Sequence, residues 1–415
     1  MAAGSTLTAS AREQPCHVNG NSANSANGLR VAILTNFIPP YQKAVLDCLA
    51  ARYGSLRVFL STPMEPNRPW KAEWQGLDVV VQKTITLAGR WRHPSGFSER
   101  LAVHFPLDTV QKLLHYRADV VISGEMGART LSAAIYRKLR RNSRLIVWAD
   151  VTESTEKGRG FWRSAARRLL HRHVDAFLAV GESGVRYVQS LGVGGERIFK
   201  LSYATDVSRF AAGPILQEQG EARKLLYVGQ LIERKGLASF IDILSEWAEA
   251  NPGRPIEFTL AGGGPERRAL EQMKVAPGIK LIFPGVLQYD DLPRVYGQAG
   301  IFVLPTLADT WAVVVNESMA AGLPVLGSVH AQAVNELVVD EWNGWRFRPD
   351  HRAEVFQAID RMMNAPAGKL AEMRCNARKT ALNLTPNRVA GMIDAAVSAS
   401  LPIPNTAGKR QSAGN

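Results

Sequence analysis

Short apolar, β-branched runs alternate with stretches of helical periodicity along almost the whole chain. In the first half the runs fall at residues 30–34, 56–60, 119–122, 145–148 and 176–180, and in the second at 224–228, 256–260, 280–283, 301–304 and 324–326. Strands separated by helices of this length predict βαβ units, which lay the strands parallel in open sheets covered by helices on both faces. Two such series predict an α/β chain with two Rossmann-like domains. Between them residues 203–219, with Gly213, Pro214, Gln217 and Gln219, lose apolar periodicity and suit an interdomain linker.

Ligands of open α/β sheets bind beyond the carboxyl ends of the strands, where loops meet helix N-termini. Three such loops carry chemistry. They read Thr35-Asn36-Phe37-Ile38-Pro39-Pro40-Tyr41, Gly229-Gln230-Leu231-Ile232-Glu233-Arg234-Lys235-Gly236 and Pro305-Thr306-Leu307-Ala308-Asp309.

At 415 residues and 46% hydrophobic composition, the chain exceeds the size at which one core usually keeps growing, in keeping with two domains. Cys16, Cys48 and Cys375 match neither a zinc-ligand nor a disulfide spacing and suit a reducing, cytoplasmic compartment. Residues 1–28, rich in Ala, Ser, Asn and Gly, lack the anatomy of a signal peptide and read as a disordered tail, as do the polar residues 401–415. No apolar run reaches the roughly 18 residues of a membrane span. The net charge of +13 is concentrated in two segments, 135–144 with Arg137, Lys138, Arg140, Arg141 and Arg144, and 158–173 with Arg159, Arg163, Arg167, Arg168 and Arg172 among Phe161, Trp162, Leu169 and Leu170. Basic and apolar residues at helical spacing suit an anionic membrane surface, and equally a solvated helix face. No pattern of a nucleic-acid module appears, so no nucleic-acid partner is expected.

The segment from Asp309 to Val325 is the most informative. Asp309 and Thr310 predict the cap of a helix whose first turn offers the amides of Trp311, Ala312 and Val313 to an anion. On such a helix Asp309 and Glu317 stand about 12 Å apart along the axis. That exceeds the roughly 5–10 Å at which paired carboxylates work on one glycosidic bond, so the pair suits gripping two parts of a long ligand. The same spacing is equally that of an ordinary capped helix with a solvated Glu. Arg234 and Lys235, between two glycines, could neutralise a departing diphosphate, although the Walker Gly-Lys-Ser/Thr spacing is absent. Gly262, Gly263 and Gly264, before Pro265 and Glu266, suit either a close backbone approach to a ligand or a tight strand-to-helix turn. Pro284-Gly285-Val286 and Asn343-Gly344 read as turns.

In this order the segments resemble the group 1 family of retaining glycosyltransferases with the GT-B fold, over about residues 29–400. The resemblance implies two Rossmann-like domains facing each other across a deep cleft: an acceptor domain at 29–205, a linker at 206–219, a nucleotide-sugar domain at 220–385 and a helix at 386–400 crossing back to the first domain. It assigns Gly229, Gln230 and Leu231 with Lys235 and Gly236 to the phosphate loop, Gly263 to the glycine-rich turn, and Phe283 to Gly285 with Val286 to the nucleobase. Glu317 would take the ribose hydroxyls, Asp309 the sugar hydroxyls, and the amides of Trp311, Ala312 and Val313 the sugar and its phosphate. Lys235 and Arg234 would stabilise the leaving diphosphate. Met319-Ala320 and Gly322-Leu323-Pro324-Val325 complete the match.

The implied activity moves a hexose-type sugar, with retention, from a nucleotide-diphosphate sugar to a hydroxyl on a glycan or lipid-linked acceptor, in surface polysaccharide or glycolipid synthesis at the inner face of a membrane. With no Asp-x-Asp sequence in the chain, no metal is expected, and no cofactor besides the donor substrate. The chain departs from the family pattern in four places. Asp309 replaces a Glu, Gln230 replaces an Arg, Phe37-Ile38-Pro39-Pro40-Tyr41 replaces the usual glycine-rich first loop, and Trp148-Ala149-Asp150 lacks the histidine often found there. Tyr41, Glu125, Asp150 and Glu153 follow first-domain strands and are the acceptor-side candidates. A nucleotide-sugar epimerase and a non-catalytic nucleotide-sugar-binding protein on the same fold remain open alternatives.

Overall fold

The computed structural model describes residues 28–65, 68, 70–215 and 223–402. Cys16, residues 1–27 and 403–415 of the expected tails, and residues 216–219 of the expected linker lie outside the described residues. The first sheet contains β1 (Arg30–Thr35), β2 (Ser55–Leu60), β3 (Asp78–Val81), β6 (Val120–Gly124), β7 (Arg144–Ala149), β8 (Ala176–Val180) and β9 (Ile198–Leu201), in the order β3-β2-β1-β6-β7-β8-β9. The second contains β10 (Leu225–Val228), β11 (Ile256–Ala261), β12 (Ile279–Gly285), β13 (Ile301–Leu304), β14 (Val325–Ser328) and β15 (Gly344–Phe347), in the order β12-β11-β10-β13-β14-β15. Every pairing within these two sheets is parallel. Strands β8, β10 and β13 are buried on both faces, which is why they read as unbroken apolar runs.

Elements that the apolar runs did not announce lie at edges or in solvent. Edge strands β3, β9 and β15 are short. Gly344 and Gly285, expected in turns, are strand residues. An antiparallel hairpin, β4 (Thr84–Arg92) with β5 (Ser98–Pro106), stands apart from both sheets, and most of its side chains are exposed.

In each sheet the strand order reverses beside the first strand of the domain, at β1/β6 and at β10/β13, so two crevices open at the carboxyl ends. Part of the expected linker is ordered: Val207–Ala211 is a helix capped by Asp206, and its buried Phe210 packs edge-on against Tyr289 and Tyr296 of the second domain. After the second domain, the helix Pro386–Ser400 lies on the helix Pro40–Arg52 and strands β7 to β9 of the first. Val389, Ala390, Ile393, Ala396 and Val397 are buried there, and the Tyr53 hydroxyl donates to Asp394 at 2.7 Å.

Because Ile393 is fully buried, Ile393→Ala is expected to cost about 2–5 kcal/mol of stability. Urea unfolding followed by circular dichroism measures this, and an unchanged midpoint would mean that this helix does not dock on the first domain in solution.

Candidate functional site

The site starts from a backbone constraint. The loop after β10 closes through a 3-10 turn at Glu233–Lys235, ended by Gly236 in the left-handed region at φ 65°. A Cβ on Gly236 would stand 2.4 Å from the Pro305 carbonyl, so only glycine lets this turn press on the end of β13. Leu307 donates its amide to the Arg234 carbonyl at 2.8 Å and locks the two loops together. Arg234 and Lys235 are thereby carried over Asp309. Lys235 Nζ pairs with Asp309 Oδ2, Arg234 Nη1 stands 3.7 Å from the same oxygen, and Arg234 also donates to the Ala308 carbonyl at 2.7 Å.

The charges of this cluster set one another's protonation. Burial pushes the Asp309 carboxyl up, but Lys235 and Arg234 outweigh it and hold the group below the usual carboxylate range. Desolvation pulls the Lys235 ammonium below its usual value against the pull of Asp309. The Arg234 guanidinium loses to desolvation but is raised overall by Asp309 and Glu99.

Beyond Asp309 the helix expected at once does not form. Asp309 makes an isolated bridge to Ala331, and the helix begins only at Val314, with Val313 at its cap. The inferred helical spacing of Asp309 and Glu317 is therefore wrong, since residues 309–313 are an irregular loop. The cause is Trp311: its buried indole donates to Asn316 at 2.8 Å, and Asn316 in turn donates to the Tyr203 carbonyl at 3.0 Å. Ala312 is consequently held at φ 75°, a strained conformation for a residue with a Cβ. The backbone amides of Trp311, Ala312 and Val313 have no hydrogen-bond acceptor among the described residues.

Glu317 is not solvated. It is 3% exposed, accepts the Tyr296 hydroxyl at 2.9 Å, and is pushed up to about 7 by burial, against which that hydrogen bond works. Gly262 approaches the Gly229 carbonyl so closely that a Cβ would lie 1.8 Å from it, while Val286 stands against Gly263. Gly285 joins the same edge by accepting the Gly262 amide at 2.8 Å. The Gln230 carbonyl accepts the Tyr227 hydroxyl at 2.7 Å. All the second-domain candidates therefore line the carboxyl ends of β10 to β13.

From the first domain Tyr41 reaches this crevice through an aromatic chain, with Tyr203 6.1 Å from Tyr41, 5.9 Å from Trp148 and 6.2 Å from Trp311. Asp150 is exposed, yet the surrounding protein desolvates it and, with Glu125 and Asp309 nearby, raises its carboxyl to about 6 against a hydrogen bond from Tyr203. Glu125 pairs with Arg129 at 3.0 Å and accepts from Asn36 at 3.1 Å. Glu153 is drawn off to Arg186 at 2.7 Å and Ser183 at 3.1 Å. Sequence reasoning missed Glu99, whose carboxylate crosses from the hairpin to Arg234 at 3.1 Å, and Arg68, whose charge reaches Lys235, Asp309 and Tyr41. It missed Tyr296 and Tyr203 as well. No motif marks them, because each is brought in by tertiary packing.

Residues 222–365 match the family profile described as "Glycosyl transferases group 1". The 2-deoxystreptamine glucosyltransferase of Streptomyces kanamyceticus is 23% identical over 286 residues, 66% of this chain and 73% of that protein. The putative colanic acid biosynthesis glycosyltransferase WcaL of Escherichia coli is 23% identical over 276 residues, 64% of this chain and 66% of that protein. In fold, the chain is similar to HepE of Anabaena, solved with UDP, at a TM-score of 0.66 and 17% identity over 89% of this chain and 100% of that one.

Glu317 is raised in the folded protein, so its protonated form is favoured there. Its contribution to stability is complete below about pH 4.5 and is lost as pH rises toward about 7. Glu317→Gln keeps an acceptor for Tyr296 without the charge. Relative to the wild type it is expected to gain about 1–3 kcal/mol between pH 5 and pH 8. Urea melts at both pH values test this, and parallel curves would show Glu317 ionised throughout.

Proposed function

We propose that this chain, a GT-B glycosyltransferase of the group 1 type, moves a hexose with retention of configuration from a uridine-diphosphate sugar to an acceptor hydroxyl in surface-glycan synthesis. The observation that carries the reading is the pair of cations at the junction of the two switch-point loops, where Arg234 and Lys235 stand over Asp309, the one carboxylate that the second domain sets against them. A diphosphate leaving group develops its charge there, and pre-oriented cations stabilise it without reorganisation. HepE of Anabaena, solved also with UDP-glucose, supports a uridine nucleotide as the first donor to test.

In this mechanism Glu317 ionises on binding and accepts the ribose hydroxyls, while Val286 and Gly285 border the base. The amides at 311–313 face the sugar and its phosphate, and Asp309 exchanges part of its pairing with Lys235 for the sugar hydroxyls. The acceptor hydroxyl attacks from the face that the diphosphate leaves, and a phosphate oxygen takes its proton. Asp150, across the crevice, orients the acceptor. The reading is metal-independent, with Lys235 and Arg234 in the place of an ion. Among the described residues no three His, Cys, Asp or Glu side chains converge as metal ligands.

The basic segments bear on where the enzyme works. Arg137 pairs with Asp175, Arg140 with Asp119, and Arg163 and the buried Arg167 both with Glu156. Lys138, Arg141, Arg168 and Arg172 have no ionic partner among the described residues, and the helix Phe161–Leu170 leaves Phe161, Trp162 and Leu169 in solvent. This combination suits peripheral attachment to an anionic membrane at its cytoplasmic face. Among the described residues no helix is long and apolar enough to cross it.

Lys235→Ala is expected to lower turnover of UDP-glucose by about 100-fold or more with the fold intact. Proton NMR of the wild-type product checks the stereochemistry. A transferred or released sugar of inverted anomeric configuration would reject retention, an epimerised one would reject the transferase reading, and unaffected turnover in the variant would reject the site. Trp162→Ala with Arg168→Ala is expected to weaken sedimentation with phosphatidylglycerol vesicles at low salt. Equal binding by both proteins, or wild-type binding insensitive to salt, would reject the membrane-facing helix.

A further inference from the structure

The hairpin β4–β5 belongs to neither sheet and has no part in the donor site apart from its tip. That tip is held firmly. The His93 ring stacks on Phe97 at 4.4 Å and bonds to the Ser154 carbonyl at 2.9 Å, the Ser98 amide donates to Glu233 at 2.9 Å, and Glu99 pairs with Arg234. The arginine-lined part of the ribbon is thus fixed one residue away from the phosphate loop.

The ribbon buries different faces at its two ends. Near its base, His104 is buried against Glu65 and Thr86, so the opposite face, with Ile85, Leu87, Val103 and Phe105, is exposed. Near the tip, Trp91 lies under the Arg159 guanidinium at 3.9 Å and Glu99 engages Arg234, so here the other face, with Arg90, Arg92 and Arg100, is exposed. Between the two ends Ala88, Gly89 and Ala102 are exposed, so the exposed surface of the one hairpin passes from apolar to cationic along its length. The step from Leu87 to Arg90 is three residues, or about 10 Å.

The cationic end is costly as it stands. Arg90 is directly opposite Arg100 in the antiparallel register, and Arg92 is the diagonal neighbour of Arg100. Like charges placed so oppose strand pairing. None of the three has an ionic partner among the described residues, and the one acid nearby, Glu99, is on the other face and taken by Arg234. An anion seated on the pair removes this repulsion, and arginine offers its donors in a fork that fits phosphate. An apolar surface about 10 Å from a phosphate-type site, next to the donor loop, describes an amphiphile.

We propose that the outer surface of the β4–β5 hairpin is the acceptor-anchoring site and that it takes a lipid phosphate, the lipid on Ile85, Leu87, Val103 and Phe105 and the phosphate on Arg90 and Arg100. The inference rests on the glycosyltransferase reading and names the class of its acceptor. A sugar attached beyond the phosphate then enters the cleft past Glu99.

Titration calorimetry of the full chain below the critical micelle concentration tests it with farnesyl phosphate, farnesol and inorganic phosphate, while thermal shift follows UDP binding in the same samples. Farnesyl phosphate is expected to bind at least about tenfold more tightly than either of the others. Arg90→Gln with Arg100→Gln is expected to lose about tenfold or more of that affinity, whereas Arg90→Lys with Arg100→Lys keeps most of it. Leu87→Ser with Val103→Ser weakens farnesyl phosphate and leaves UDP binding unchanged. No binding of farnesyl phosphate, unchanged affinity in the Gln variant, equal affinity for inorganic phosphate or farnesol, or displacement of farnesyl phosphate by UDP would each overturn the proposal. UDP binding without farnesyl phosphate binding rejects this inference alone; failure of the wild type to bind UDP rejects the reading beneath it.

Discussion

Two mostly buried cations held over one carboxylate are the constraint on which the candidate site of the second domain is built. Arg234 and Lys235 come from the loop after β10, and Asp309 comes from the loop after β13, with only Gly236 permitting the approach. Removing Asp309 would leave Lys235 without its carboxylate in a low-dielectric pocket and Arg234 with Glu99 alone, which is far costlier than losing a surface pair. The cluster is therefore structural before it is chemical. Because its two strands are the pair at which the sheet order reverses, the cluster stands at the crevice.

Cation remains in excess until the first domain contributes. Glu99 answers Arg234 from the hairpin of the first domain, so that guanidinium is shared between carboxylates of both domains. Tyr203 provides the second tie. It leaves the last strand of the first domain, contacts Tyr41, Trp148 and Trp311, and accepts from Asn316 through its carbonyl. The strained backbone at Ala312 is a product of that tie, since Trp311 is anchored inward to Asn316 and the chain must turn back to start its helix at Val314. Geometry at residues 311–313 is thus linked to the interdomain connection.

What the sequence disclosed followed burial. Strands β8 and β13, covered on both faces, read as apolar runs with their full extents, and the loops after β1, β10 and β13 were identifiable because glycine, proline and charge follow such runs. The hairpin was not legible, as its period-two alternation of Thr with Ile and Leu places the apolar residues in solvent, against the usual sense of the pattern. At Asp309 the capping signal was present, but a tertiary bond of the Trp311 indole overrode it and moved the helix start to Val314. The burial of Glu317 had no local signal either, since it depends on Tyr296, twenty-one residues away in sequence.

Charge shows most clearly why composition understates structure. Two arginine-rich segments look alike in sequence, yet the fold draws Arg137, Arg140, Arg163 and Arg167 to Asp175, Asp119 and Glu156, acids that lie outside the first segment and at the margin of the second. Such pairs satisfy the fold and leave Lys138, Arg141, Arg168 and Arg172 of these segments for a partner. The arginines of the hairpin are fewer and more scattered along the sequence, so they raise no signal there. The antiparallel register nevertheless sets Arg90 opposite Arg100 with no acid on that face, and both are exposed beside Glu99, which pairs with Arg234. Unpaired charge that the register forces together is stronger evidence for a bound anion than charge that the fold has already paired.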